Sequence, residues 1–250
     1  MITTLLLPAL LLTSGPAAVS EASPTLLVRA ADGYAELAAE YEAALTKWRE
    51  AIDSTEDRSE RNELRRNHPA KAFYDRFEAL SKGGDGQALF WMATHLKEKG
   101  LRSSQRGPIA TELFGKLFET HLEAEWFGDV IGAMMRSKVS EEDRMRLLTH
   151  AAENGKAGTT LAPAKFALGT MLMDGDDEQK AQGEALLQEV AEKYAKTSWG
   201  TMARAMFVKP EDIQPGKPAP DFYGETIDGF GFNLSDYKGK VVLLDFYGFW

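Results

Sequence analysis

The sequence predicts a mostly α-helical protein followed by a few short β elements, and three observations support that prediction. Apolar residues recur every three or four positions through residues 30–208, which is the period of an amphipathic helix. Three prolines then fall within Lys209–Pro218 and stop the helical pattern, because proline fixes φ and has no backbone N–H. Beyond them the apolar residues follow the pattern of β-strands.

Composition excludes several kinds of chemistry. The 250 residues carry a formal net charge of -9 without a visible Lys/Arg stripe, which argues against a nucleic-acid partner. They contain no cysteine, so no disulfide, thiolate nucleophile or cysteine-bound zinc can form within them. The four histidines lie far apart, and His121 with Glu125 offers only two ligands. The sequence therefore predicts no metal site and no cofactor.

The first residues have the pattern of an export signal, which we predict over residues 1–22. Leu5–Leu12 is an apolar run of the length of a signal-peptide core, and Ala18–Ser20 supplies small residues before Glu21. Met1–Thr4 lack the usual basic residue, and a disordered apolar tail is the alternative. The run is too short to span a bilayer. We therefore expect an exported protein, periplasmic or extracytoplasmic, with no stable membrane span.

The helical body is predicted over residues 30–208. An apolar stripe from Tyr34 to Ile52 comes first, and the charged stretch Ser54–His68 is predicted as an exposed helix or loop. Ser140, followed by three acidic residues, predicts a helix start, and Gly155 predicts its end. In all, further helices are predicted at 69–81, 86–99, 108–120, 122–137, 140–154, 162–173 and 177–195.

The end of this body resembles one tetratricopeptide-type helix pair. Ala164, Ala167 and Gly169 are small enough to let a partner helix around 185–194 approach closely. Such repeats recur about every 34 residues, and no clean second copy can be traced. The sequence therefore predicts a helical body with a repeat-like end, whose surface is a candidate site for a protein partner.

A Pro-rich linker is predicted at 209–217, and a strand-forming segment at 216–250. Asp228-Gly229, between short apolar segments, predicts a hairpin turn, and Ser235–Gly239 predicts a short turn of helix. Val241–Tyr247 is an apolar run typical of a central strand covered on both faces. Asp245 interrupts it, and a buried carboxylate is costly unless it has a partner or a function. The alternative is a strand end where the carboxylate reaches water.

This last segment resembles the opening of the thioredoxin-like redoxins. The resemblance is to the TlpA-type thiol–disulfide oxidoreductases and their relatives in the alkyl hydroperoxide reductase/thiol-specific antioxidant superfamily. It rests on Gly216–Phe222, Asp228-Gly229 and Phe232–Trp250, in that order. In those families the aromatic strand end leads directly into W-C-x-x-C. The resemblance thus implies the first β elements of a truncated thioredoxin-like α/β domain, with Trp250 flanking the missing redox motif.

The resemblance also implies roles and partners. Asp245 occupies the place of the acid that accepts and returns the proton of the second thiol. A peroxiredoxin would show P-x-x-x-[ST]-x-x-C, whereas Tyr247 is followed by Gly248–Trp250, which favours disulfide exchange over peroxide reduction. We therefore expect an exported oxidoreductase with protein disulfide substrates or a thiol electron donor. A peroxide-reducing antioxidant and a helical interaction module are the alternatives.

Two further expectations follow from the position of Trp250. One is that codon 251 is UGA read as selenocysteine, giving a W-U-x-x-C motif. A nonsense mutation or a deliberately shortened chain are the alternatives. The other is that these 250 residues have no thiol–disulfide activity, because they contain no thiol. Without parallel neighbours, Val241–Tyr247 is expected to be disordered, misdocked or prone to aggregate.

Overall fold

Helices dominate the computed structural model, which describes residues 33–245. The described residues form ten α-helices, two 3₁₀ turns and one two-stranded sheet, which agrees with the predicted fold class. The helices are α1 (Tyr34–Ser54), α2 (Arg58–Arg66), α3 (Ala70–Lys82), α4 (Gly86–Thr94), α5 (Ser103–Thr120), α6 (Phe127–Met135), α7 (Glu141–Asn154), α8 (Leu161–Leu172), α9 (Asp177–Lys193) and α10 (Ser198–Ala205). None of these described helices is long and apolar enough to cross a bilayer. The predicted signal peptide, residues 1–22, lies outside the described residues.

Three predicted helices differ from the structure by more than two residues at one end, and the other four agree within two residues. The helix predicted at 86–99 ends at Thr94, whose hydroxyl donates to the Trp91 carbonyl at 2.9 Å, so side chains compete with the helical ladder there. The helix predicted from residue 108 begins at Ser103, since the Gln105 side chain accepts from the Arg102 N–H at 3.1 Å and closes the first turn. The helix predicted at 122–137 spans only Phe127–Met135, because successive turns occupy the residues before it.

The charged stretch Ser54–His68 contains an exposed helix, α2, which buries none of its residues. Asp57 caps its N-terminus by accepting from the Glu60 N–H at 2.8 Å. The Trp48 indole of α1 donates to the Leu64 carbonyl at 2.8 Å and holds α2 against α1. The interpretation as an exposed helix is therefore confirmed.

An aromatic cluster forms the core between α1, α3 and α4. Phe77 stacks on Trp91 with ring centroids 3.9 Å apart, and Tyr41 meets the same indole edge-on at 5.1 Å. On the other side of the indole, His95 stacks at 4.1 Å, and burial lowers the pKa of that imidazole. Aromatic residues at helical spacing thus serve as core.

Helix α7 begins and ends where the sequence predicts. The Ser140 hydroxyl accepts from the Asp143 N–H at 3.2 Å, and three acidic residues occupy the first turn, where the helix dipole favours negative charge. Gly155 follows the last helical residue and donates its N–H to the Ala151 carbonyl at 2.9 Å. Both predicted caps are confirmed.

Helices α8 and α9 form an antiparallel pair that meets at two glycines. A Cβ added at Gly183 would lie 2.7 Å from the Gly169 carbonyl oxygen, and one at Gly169 would lie 2.9 Å from Leu187 Cγ. Lys165 and Glu189 join the same two helices by an ion pair of 2.8 Å. The predicted close approach is confirmed, whereas the tetratricopeptide-type character of this single pair stays a prediction.

Candidate functional site in the C-terminal segment

A β-hairpin follows the Pro-rich stretch. Strand β1 (Tyr223–Glu225) pairs antiparallel with β2 (Gly231–Asn233), and Tyr223 lies opposite Asn233. In the connecting turn, Gly229 has φ of 78°, a conformation that glycine adopts without steric cost. The Gly229 N–H donates to the Thr226 carbonyl at 2.9 Å. The hairpin predicted from Asp228-Gly229 is confirmed.

One threonine connects this hairpin to the helical body. The Thr201 hydroxyl, on α10, accepts from the Tyr223 N–H at 2.9 Å and lies 3.4 Å from the Tyr223 carbonyl oxygen. Both contacts are partly buried, and together they engage both backbone polar groups of the first strand residue. This connection joins residues 22 positions apart, so no local pattern in the sequence indicates it.

Asp221 fixes the chain on both sides of the hairpin. Its carboxylate accepts from the Ser235 N–H at 2.8 Å and from the Ser235 hydroxyl at 2.9 Å. The bond from the Ser235 N–H is the main cause that lowers the pKa of Asp221. Ser235 lies in the 3₁₀ turn Leu234–Tyr237, which confirms the short helical turn predicted there.

Sequence reasoning missed the role of Asp221, although that residue belongs to the run Gly216–Phe222 that supports the redoxin resemblance. An acid just before a strand, followed by a serine after the hairpin, is the signal that was available.

Pro218, Asp221, Ser235 and Val242 line one surface groove, so the linker end, the 3₁₀ turn and the last described residues lie side by side.

The predicted central strand is not formed in residues 241–245. These residues have no regular structure, and Val241 and Leu243 are 102% and 91% exposed. The physical reason is the lack of a partner: the only described sheet has two strands, and neither pairs with this run. The last two residues of the predicted strand, 246 and 247, lie outside the described residues.

Of the two predicted site residues, the structure describes one. Asp245 is the last described residue, and it is exposed, as in the interpretation where the carboxylate reaches water. Its role as a proton relay stays a prediction. Trp250 lies outside the described residues.

The described part of this segment offers carboxylates and hydroxyls but no redox nucleophile. No cysteine occurs in the sequence. Within residues 33–245, no three His, Asp or Glu side chains are grouped so that they could hold a metal ion. The segment provides a structural framework instead: the hairpin is hydrogen-bonded to α10, and Asp221 is hydrogen-bonded to the 3₁₀ turn Leu234–Tyr237.

Comparison with known proteins gives a partial match to one kind of oxidoreductase. The chain is 40% identical over 50 residues to thiol-disulfide oxidoreductase ResA of Bacillus thuringiensis subsp. konkukian, which covers 20% of this chain and 29% of that protein. It is 44% identical over 50 residues to ResA of Bacillus subtilis, covering 28% of that protein. No family model matches the chain, and no solved structure matches it.

These matches relate a fifth of the chain to the thioredoxin-like redoxins. The chain spans less than a third of the length of the relatives it matches. The similarity therefore supports a thioredoxin-like oxidoreductase for the matched part.

Proposed function

We propose that the protein is an exported, thioredoxin-like thiol–disulfide oxidoreductase. The observation that carries this proposal is the identity of 40–44% over 50 residues to two relatives named as thiol-disulfide oxidoreductases. Protein disulfides and a thiol electron donor are the partners that this chemistry requires. The predicted export signal supports an extracytoplasmic location, where disulfides persist.

The geometry of the C-terminal segment supports the same proposal. The hairpin comes first along the chain and the 3₁₀ turn follows it. The redoxin resemblance has the same order, with Asp228-Gly229 before Phe232–Trp250. Asp221 holds the turn against the start of the hairpin, and Thr201 holds the hairpin against α10. A redox domain needs such positioning because disulfide exchange depends on how closely and in which direction the sulfur atoms approach.

By its resemblance to the redoxins, the proposed domain would carry the redox pair as W-C-x-x-C, with Trp250 as the tryptophan of that motif. Such a nucleophile at a helix N-terminus is activated because the helix dipole favours its anion. Asp245 would accept the proton of the second thiol and return it during disulfide exchange. In this proposal residues 209–217 are the linker between the helical domain, 30–208, and the redox domain that begins at 216.

The decisive experiment expresses the gene together with the codons that follow Trp250. We expect the extended product to reduce insulin disulfides with a thiol donor, whereas the 250-residue chain has no such activity. Asp245→Asn should lower turnover by about 100-fold, the usual contribution of a positioned proton-transfer group. Asp228→Asn is the matched control, since Asp228 lies in the exposed hairpin turn and should leave turnover unchanged.

Two results would contradict the proposal. Peroxide reduction without disulfide reduction would favour the antioxidant branch. An extended product with neither activity, which captures a partner through its helices, would favour the interaction module.

A further inference from the structure

A cleft in the helical body is lined by four cationic side chains and by no acidic one. Lys97 follows α4, Arg106 lies near the start of α5, and Arg136 and Lys138 follow α6. The cleft is partly open to solvent and has a volume of about 400 Å³. Like charges gathered at one place repel one another, and the whole chain carries a net charge of -9. The cleft is therefore positively charged in a protein whose overall charge is negative.

Arg106 differs from the other three cleft cations, which are exposed, because part of its guanidinium is buried. Its Nε is buried and has no hydrogen-bond partner, and no described ion pair involves its guanidinium. Nearby Arg144 differs, since its guanidinium donates to the Ser137 carbonyl at 2.7 Å. A buried donor without a partner is costly, and more so when it is charged. An anion in the cleft would supply the missing partner.

Helix ends explain three of the four cations but not the fourth. The carbonyl ends of helices favour positive charge, which accounts for Lys97 after α4 and for Arg136 and Lys138 after α6. Arg106 lies in the first turns of α5, where the dipole disfavours a cation. The helix dipole therefore does not explain why a cation lies at position 106.

The remaining lining of the cleft is largely apolar. Leu96, Ala110 and Phe114 contribute to it, and all three are buried. A volume of about 400 Å³ falls within the range of small-molecule pockets, which combine apolar walls with a few polar groups. The cleft thus offers a place for an apolar body beside a place for negative charge.

We propose that this cleft binds a small organic anion, with a carboxylate, phosphate or sulfonate head on a compact apolar body. Arg106 and Lys138 would bind the head group, and the apolar lining at Leu96 and Ala133 would contact the body. A volume of about 400 Å³ favours a small molecule over an acidic protein segment. This proposal does not depend on the oxidoreductase proposal, because none of its residues belongs to the C-terminal segment.

The test is a fluorescence titration of the full chain with two probes of the same shape. One is the anion 8-anilinonaphthalene-1-sulfonate, and the other is its uncharged analogue N-phenyl-1-naphthylamine. We expect Arg106→Gln to weaken binding of the anion about tenfold, as for loss of a charge-assisted hydrogen bond. Lys138→Gln should weaken it about threefold, because Lys138 is exposed. Neither variant should change binding of the uncharged probe.

Lys180→Gln is the matched control, since Lys180 is exposed on α9 and lies outside the cleft. The exposed apolar run Val241–Leu244 also offers a surface to both probes, but its contribution is the same in all variants. If Arg106→Gln does not fold, as judged by circular dichroism, the exposed Lys138 decides the test. The proposal is overturned if the cleft variants and Lys180→Gln bind the anion alike. It is also overturned if hexaglutamate displaces the anion at lower concentration than benzenesulfonate does, which would indicate an acidic peptide instead.

Discussion

Replacing Gly183 by alanine should force α8 and α9 apart. The added Cβ would lie 2.7 Å from the Gly169 carbonyl oxygen and 3.0 Å from Leu172 Cβ. A backbone oxygen cannot turn aside as a flexible side chain can, so the two helices must separate locally. Separation would also strain the Lys165–Glu189 ion pair that joins them.

Two opposing effects set the magnitude of this change. Alanine is favoured over glycine in a helix interior by about 1 kcal/mol. Overpacking a tight contact costs about 1–3 kcal/mol, and a clash with backbone belongs in the upper part of that range. We therefore expect Gly183→Ala to lower the free energy of unfolding by about 1–2 kcal/mol.

Gly115→Ala is the matched control. Gly115 also lies inside a helix, α5, but a Cβ added there would meet no atom within 4 Å. That variant should be more stable than the wild type by about 0.5–1 kcal/mol, because only helix propensity changes. Urea unfolding followed by circular dichroism at the helical band would compare the two variants. The reasoning about close helix approach fails if Gly183→Ala is as stable as Gly115→Ala.

Two further changes test the contacts described above. Thr201→Val removes the hydroxyl that holds the hairpin, so amide hydrogen exchange around Tyr223 should accelerate about fivefold, as for loss of a hydrogen bond of about 1 kcal/mol. Exchange in α8 should stay unchanged, and Thr201→Ser should restore protection at Tyr223. Equal exchange in the wild type and both variants would contradict the role of the hydroxyl. For His95, burial lowers the pKa in the folded state below the ordinary value of 6.5. The neutral ring is therefore favoured on folding, and its contribution to stability is fully present above pH 6.5 and is lost as the pH falls through the lower folded pKa. Unfolding at pH 7.5 and pH 5 should show a smaller loss for His95→Gln than for the wild type, and an identical loss would contradict this origin.

The helices of the body could be predicted because their causes are local. Apolar spacing and the caps at Ser140 and Gly155 determine where α7 runs, whatever packs against it. The hairpin was predictable for the same reason, since Asp228-Gly229 specifies its turn. Helix ends such as Thr94 were missed because side chains of the last turn compete for its carbonyl groups.

The features that could not be predicted depend on distant residues. The four cations of the cleft come from three separate parts of the chain between Lys97 and Lys138, and no spacing rule gathers them. The contact of Thr201 with Tyr223 depends in the same way on how α10 meets the hairpin. The strand pattern of Val241–Tyr247 likewise depends on neighbours that its own residues cannot supply, and residues 241–245 form no strand, as expected for a run without parallel neighbours.

The order in which the helices pack has a consequence for how the chain folds. The most extensive contacts join helices that follow one another in sequence, such as α7 with α8, α8 with α9 and α9 with α10. Contacts between near neighbours close short loops, and proteins rich in them fold quickly. The helical body can therefore reach its native contacts during synthesis before the hairpin leaves the ribosome. Substitutions in the hairpin should accordingly leave the refolding rate of the body unchanged, as measured by stopped-flow tryptophan fluorescence.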